Sequence, residues 1–182
     1  MSNQVSHYLD RARMAARANT IGRATPIRPV IDGLKRALER IHLGKGVQIT
    51  VMCDEKLSFR GEKQDLEELL GNLLDNASKW SSQNVRIQAE PEPEGSDQEG
   101  QRLRVTIEDD GPGVPGIERE KMLKRGQRLD ETKPGSGLGL SIVHDLITSY
   151  RGSIELSRSQ LGGLKVELVL PALSLETVSI AS

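Results

Sequence analysis

The sequence predicts an α/β protein: a two-layer sandwich in which a mixed, mainly antiparallel sheet is covered on one face by three helices. Two observations lead to this prediction. Several runs alternate apolar and polar residues, as strands with one buried face do, and they are separated by segments whose apolar residues recur at helical spacing. The segments follow the order helix, strands, long helix, two strands, irregular loop, helix and two strands.

The composition limits the classes of protein to consider. The chain has 182 residues, a net charge of −1 and 2% aromatic residues, so we expect one domain with an aliphatic core and no nucleic-acid partner. The single cysteine, Cys53, excludes an internal disulfide, and its place on an alternating run indicates a buried structural thiol. Because no stretch reaches the roughly 18 apolar residues that span a bilayer, we expect a soluble chain in a reducing compartment.

Composition also divides the chain into segments. Residues 1–19 contain a helical stripe interrupted by arginines, and residues 20–28, rich in Gly, Thr, Arg and Pro, are typical of a linker. We predict a globular domain over residues 29–171 and a C-terminal tail over residues 172–182.

The first half of that domain begins with a helix. Thr25-Pro26 is typical of an N-cap followed by a proline at the first helical position, although Pro29 allows a later start. Glycines stop this helix, alternation then predicts one strand and allows a second, and leucines at helical spacing predict a long helix. The predicted elements are a helix ending before Gly44, strands over 47–53 and 57–60, and a helix over 62–79.

The second half contains an acidic insertion and a glycine-rich region. Residues 90–101 are rich in Glu, Pro and Gly, which predicts a disordered or hairpin-like surface loop. The chain is irregular from about residue 108 to residue 137. The predicted elements are strands over 85–89 and 103–107, a helix over 138–150, and a hairpin formed by 153–159 and 164–170.

Two asparagines and a lysine form a polar stripe on the long helix. The leucines centre at about 130° from Asn72, whereas Asn76 and Lys79 lie within about 40° of it. A solvated surface explains most such stripes, but asparagine is a poor helix former. Its side-chain oxygen suits a hard cation such as Mg²⁺, and a lysine suits phosphate. The stripe is therefore a candidate binding surface.

Two glycine-rich segments supply the other candidate residues. Asp109-Asp110-Gly111-Pro112-Gly113 directly follows a strand, where a carboxylate can accept a hydrogen bond from an adenine amine and glycines let the backbone approach the ring. Gly135–Leu140 opens a helix whose N-terminal amides can hold phosphate, and basic residues that include Arg128 and Lys133 precede it. Each segment alone is weak, but the three in this order indicate a nucleotide site.

These motifs resemble those of sensor histidine kinases. NLLDNASKW (72–80) resembles the N box, EDDGPGVP (108–115) the G1 box and GSGLGL (135–140) the G2 box. RGQRLDETKPGSGLGL is similar to the lid of the PhoQ-type group of these kinases. The resemblance covers residues 29–171 and implies a Bergerat-type (GHKL) domain that holds ATP and Mg²⁺ under a mobile lid.

The resemblance also implies roles for single residues. Asn72 and Asn76 would face Mg²⁺ and the phosphates, Lys79 would reach a phosphate, Trp80 would pack near the adenine, and Asp109 would accept the adenine amine. The implied ATP-binding residues are Asn72, Asn76, Lys79, Trp80, Asp109, Gly111, Gly113, Arg128, Lys133, Gly135, Ser136, Gly137, Leu138 and Gly139.

The sequence departs from the family's pattern in the lid. Ser136 stands where PhoQ has a glutamine. The F box lacks its phenylalanine, because the only Phe is Phe59, far upstream; Met122 and Leu123 are expected to fill that apolar role. The lid is thus where the family pattern constrains this chain least.

The resemblance places the phosphate acceptor elsewhere. Residues 1–19 resemble the end of the second dimerisation helix, and the acceptor histidine belongs to the first, so we expect surface or structural roles for His7, His42 and His144. The resemblance implies a cytoplasmic catalytic domain of a kinase in the bacterial inner membrane, with its own dimerisation domain and a response regulator as partners. The isolated chain is then free to be monomeric.

Two alternatives to a kinase stay open: a GHKL-type ATPase and a non-catalytic nucleotide-binding module. ATPases of the gyrase and chaperone type have a glutamate at the position of Asn72, where it activates water. An asparagine amide has no useful basicity, whereas an imidazole nucleophile needs no base when it is neutral. Asn72 therefore favours a kinase, while Glu68, one turn earlier, is a candidate for a substitute base.

Overall fold

A computed structural model describes residues 23–93, 100–122 and 139–174. These residues form seven strands and four α-helices. The strands are β1 (Ala24–Pro26), β2 (Gln48–Cys53), β3 (Leu57–Arg60), β4 (Asn84–Pro91), β5 (Arg102–Asp109), β6 (Ser153–Arg158) and β7 (Leu164–Ser174). The helices are α1 (Ile27–Ile41), α2 (Lys63–Trp80), α3 (Gly116–Met122) and α4 (Gly139–Ser149), with a 3₁₀ turn at Leu43–Lys45.

The strands form one sheet in the order β1-β3-β7-β5-β4-β2, and β6 also pairs with β7. The β2–β4 pair is parallel, and the other described pairs are antiparallel. This arrangement confirms the predicted mixed, mainly antiparallel sheet.

The core lies between one face of the sheet and three helices. Alternate residues of β4 and β5, such as Ile87 and Val105, are fully buried, while their neighbours point to the other face. The long helix α2 contacts both α1 and α4 and buries five leucines against the sheet. Burying a leucine side chain contributes about 1.5–3 kcal/mol. The five leucines therefore fix α2 on the sheet, and with it the polar residues at the C-terminal end of the helix.

The sheet extends beyond both predicted limits of the domain, residues 29 and 171. Ala24–Pro26, expected within a linker over 20–28, form strand β1, and α1 begins at Ile27, which is fully buried. A proline is tolerated in β1 because this strand lies at the edge of the sheet. At the other end β7 continues to Ser174, beyond the predicted limit at residue 171. Residues 1–22 and 175–182 lie outside the described part of the chain.

None of the described helices is both long enough and apolar enough to cross a bilayer. Cys53 is partly buried, and burial raises the pKa of its thiol to about 11. The prediction of a buried structural thiol thus holds only in part, because Cys53 packs against the core without being fully buried.

Candidate nucleotide-binding site

Asp109 lies at the C-terminal end of β5, with only 4% of its surface exposed. Its Oδ1 accepts hydrogen bonds from the amides of Gly111 (2.9 Å) and Leu164 (3.3 Å), and its main-chain carbonyl accepts one from Gly163 (3.1 Å). Burial raises the pKa of this carboxyl, and the two amide bonds offset the rise only in part. The side chain is therefore a buried acceptor held in one orientation.

Gly111 and Gly163 lie so close to the Asp109 carboxylate that a side chain at either position would collide with its surroundings. A Cβ at Gly163 would collide with Asp109 Oδ1, and a Cβ at Gly111 would collide with the carbonyl oxygen of Trp80. The loop after β5 is thus pressed against both the end of α2 and the β6–β7 turn. Gly113 has a φ of +74°, in the left-handed region that glycine adopts without strain. Whether Gly111 and Gly113 also let the backbone approach an adenine ring stays a prediction.

Asn72 faces the start of α4. Its Nδ2 donates to the carbonyl of Glu68 at 2.7 Å, which fixes the orientation of the amide. Its Oδ1 lies 2.9 Å from the position that a Cβ on Gly139 would occupy, so the absence of a side chain at Gly139 lets the two meet. Asn76, one turn later, is partly buried. The structure thus brings the asparagine of the N-box-like segment to Gly139, the last glycine of the G2-like segment.

Lys79 and Trp80 are the most exposed of the predicted site residues on α2. The Lys79 ammonium pairs with Asp75 Oδ2 at 2.5 Å, and His42 Nε2 lies 3.2 Å from Asp75 Oδ1. Trp80 is 37% exposed. Both side chains stand at the C-terminal end of α2, beside the loop that carries Asp109.

Asp110 was not predicted as a functional residue, yet it binds the loop after β5 to the residues that follow α2. Its carboxylate accepts hydrogen bonds from the amides of Ser82 (2.7 Å), Gln83 (3.1 Å) and Asn84 (3.0 Å), and from Asn84 Nδ2 (2.8 Å). Burial acts to raise the pKa of Asp110, but these bonds outweigh it and lower the pKa overall. The Asp-Asp doublet was the only sequence signal, and it did not reveal which residue bonds where.

The side-chain oxygens of Asn72 and Asn76 are of the type that a hard divalent cation accepts as ligands. Among the described residues no group of three or more His, Cys, Asp or Glu side chains could hold a metal ion. A cation beside Asn72 would therefore depend on amide oxygens, water and the ligand's own oxygens, as Mg²⁺ commonly does with polyphosphates.

Part of the predicted site lies outside the described residues: Arg128, Lys133, Gly135, Ser136, Gly137 and Leu138. Leu123 of the expected apolar lid contact lies there too, whereas Met122 is partly buried at the end of α3. Of the three histidines, His144 is exposed on α4, His42 contacts Asp75, and His7 is outside the described part.

The family model for histidine kinase-, DNA gyrase B- and HSP90-like ATPases matches residues 61–174. The sensor protein PhoQ of Escherichia coli K12 is 37% identical over 169 residues, which cover 93% of this chain and 33% of that protein. The virulence sensor histidine kinase PhoQ of Salmonella typhimurium LT2 is 38% identical over 170 residues. The chain thus spans about a third of the length of these curated relatives.

Two solved structures are also similar to this chain. The mycobacterial sensor histidine kinase MprB matches with a TM-score of 0.69 and 26% identity, covering 84% of this chain and 99% of that one. Full-length ShkA in complex with AMPPNP matches with a TM-score of 0.70, covering 92% of this chain and 35% of that one. At 23% identity, the second likeness shows the fold alone.

Proposed function

Because this chain belongs to the family of histidine kinase-, DNA gyrase B- and HSP90-like ATPases, we propose that it is the ATP-binding catalytic domain of a sensor histidine kinase. The γ-phosphoryl group of ATP would pass to a histidine on a dimerisation domain outside the residues described here. The full-length protein would be a bacterial inner-membrane kinase that acts on a response regulator.

The observation that carries the kinase proposal is the identity and position of Asn72. Its amide faces the start of α4, where the family binds phosphates, and it has no useful basicity near neutral pH. A site with an asparagine there can position and neutralise a polyphosphate, but that residue cannot activate water. Phosphoryl transfer to an imidazole needs only such positioning, because a neutral imidazole is already a nucleophile.

We assign the other residues as follows. Asp109 accepts the adenine amine, Asn72 and Asn76 present oxygens to Mg²⁺, and Lys79 exchanges Asp75 for a phosphate. Bound Mg²⁺ would neutralise charge on the phosphates. When Lys79 leaves Asp75, the contact from His42 to the other carboxylate oxygen keeps that acid paired.

Three measurements test the proposal, two on the purified chain and one with an added dimerisation domain. Calorimetry should detect ATP binding that is strengthened by Mg²⁺, and steady-state hydrolysis without an acceptor should be negligible. Labelled ATP mixed with the chain and its parent's dimerisation domain should label a histidine on that domain. Rapid acceptor-independent hydrolysis would instead support an ATPase, and failure to bind ATP would support a non-catalytic module.

The ATPase alternative rests on Glu68. This side chain is exposed one turn before Asn72 on the same face of α2. If hydrolysis is observed, Glu68→Gln identifies its source: loss of hydrolysis would make Glu68 the base, and unchanged hydrolysis would exclude it.

A further inference from the structure

The segment between α1 and β2, residues 42–46, is a tight turn that we call the α1–β2 turn. The amide of Lys45 donates to the carbonyl of His42, and the amide of Gly46 donates to that of Leu43, both at 3.0 Å. Gly46 has a φ of +70°, which allows the chain to reverse into β2 without strain. Its side chains are therefore held on a short, internally bonded frame.

Two side chains of this turn form polar contacts with the last two turns of α2. The Lys45 ammonium donates to the carbonyls of Ser78 (2.9 Å) and Lys79 (2.7 Å), and His42 contacts Asp75. The last four carbonyls of a helix have no intrahelical partner, and a cation there also interacts favourably with the helix dipole. Lys45 thus pairs with the Lys79 carbonyl and shares the Ser78 carbonyl with the Ser81 hydroxyl (3.1 Å), at the end of the helix that carries the predicted site residues.

The opposite side of the same helix end is held by the loop after β5. The carbonyl of Trp80 lies against Gly111, and Asp110 binds the amides that follow. Trp80 therefore stands between two fixed points: Lys45 holds the carbonyl of the residue before it, and Asp110 holds the residues after it. The Ser81 amide also donates to the Ala77 carbonyl (2.8 Å), which closes the last helical turn around Trp80.

We propose that Lys45 is a positioning residue for nucleotide binding, which sets the placement of Trp80 beside Asp109 by capping the C-terminal end of α2. The inference rests on the proposed function, in which adenine lies between Asp109 and Trp80. The charge of Lys45 also favours the ionised form of Asp109. Burial raises the pKa of that carboxyl, and Lys45 is among the groups that oppose the rise.

The experiment uses a spectroscopic reporter that the chain already contains, since Trp80 is its only tryptophan. Lys45→Met removes the cap and Lys45→Arg retains a cationic donor. Lys56→Met is the charge-matched control, because Lys56 is exposed in the β2–β3 turn. For each variant, Trp80 emission and its quenching by acrylamide are measured without nucleotide, and the Kd for Mg-ADP is measured by calorimetry.

We expect Lys45→Met to alter Trp80 emission and to weaken Mg-ADP binding about 3–10-fold, the loss of one to two net hydrogen bonds. Lys45→Arg should restore both readouts to within about twofold, and Lys56→Met should change neither. Wild-type emission and Kd in Lys45→Met, or an equal loss in Lys56→Met, would overturn the proposal. If the wild type binds no Mg-ADP, the proposed function fails, while the emission of nucleotide-free Lys45→Met still decides whether Lys45 positions Trp80.

Discussion

Two adjacent aspartates differ in surroundings, which separates the proposed ligand-binding role of Asp109 from the structural role of Asp110. Asp109 is buried, and the pKa of its carboxyl is raised because two amide bonds do not offset the loss of hydration. Asp110 is partly exposed, and four hydrogen bonds outweigh its burial so that its pKa is lowered. By linkage we expect the ionised Asp109 side chain to lower the stability of the fold and the ionised Asp110 side chain to raise it.

The first prediction concerns Asp109→Asn. Losing the charged acceptor should weaken ATP binding by roughly 1.5–3 kcal/mol, measured by calorimetry, while the free energy of unfolding at neutral pH rises because a buried charge is removed. Wild-type binding should also weaken on acidification, beginning at a higher pH than an ordinary aspartate titrates, because the pKa of Asp109 is raised. Unchanged affinity in the variant would mean that the adenine lies elsewhere.

The second prediction concerns Asp110→Asn, which removes a charged acceptor from four donors. We expect the free energy of unfolding at neutral pH to fall by roughly 1–3 kcal/mol, as measured in urea. The folded-state pKa of Asp110 is lowered, so its contribution is present above the unfolded value of about 3.9 and is lost as the pH falls through the lower folded value. The difference between variant and wild type should therefore shrink in acid. A difference that persists below that range would contradict the assignment.

At the scale of single elements, the apolar periodicity of the sequence predicted the helices and strands that are long enough to show a repeating pattern. The strands β4 and β5 and the helix α2 have several alternating or helically spaced apolar residues, and their predicted limits differ from the observed ones by at most two residues. Strand β1 has three residues, one of them proline, so it is too short to show a pattern. It is a strand only because β3 pairs with it, which is tertiary information.

The C-terminal end of α4 carries the third prediction. The amide of Gly152 donates to Ile147 (2.9 Å) and that of Arg151 to Thr148 (3.1 Å), the Schellman arrangement that favours glycine at the left-handed position. Arg151 occupies that position with a φ of +51°. Arg151→Gly should therefore raise the free energy of unfolding by about 1 kcal/mol, measured in urea. Arg151→Ala keeps the Cβ and should bring no such gain; an equal gain would show that the arginine side chain itself is unfavourable.

For the molecule as a whole, the motifs identified candidate residues but not the contacts that hold them. Asn72 and Gly139 are 67 positions apart in the chain, and their approach follows from the packing of α4 on α2. Lys45 and Gly163 carried no signal, because a lysine in a turn and a glycine in a hairpin are common. Their roles depend on which helix end or carboxylate lies opposite, and no periodic pattern encodes that.

The same is true of the free edge of the sheet. Among the described strands, β2 pairs only with β4. The backbone amide of Gln48 points to that side and donates to the Gln83 carbonyl, so the backbone amide and carbonyl of the next residue, Ile49, point away from the sheet. Two side chains of α1 meet them: Glu39 accepts from the Ile49 amide (2.9 Å), and Lys35 donates to the Ile49 carbonyl (2.5 Å). Lys35 and Glu39 also pair with each other at 2.6 Å. Together they replace part of a neighbouring strand.

The last prediction follows from this edge. An unpaired edge strand is a template for pairing with another chain, and covering its backbone groups prevents that. The double variant Lys35→Ala/Glu39→Ala should lower the free energy of unfolding by roughly 1–2 kcal/mol and promote self-association, measured by sedimentation velocity over a concentration series. Lys63→Ala/Glu67→Ala is the matched control, since it removes another Lys–Glu pair of the same spacing from α2. Self-association confined to the first variant would identify Lys35 and Glu39 as the residues that close the sheet, whereas equal behaviour of both variants would show that the edge is protected by something else.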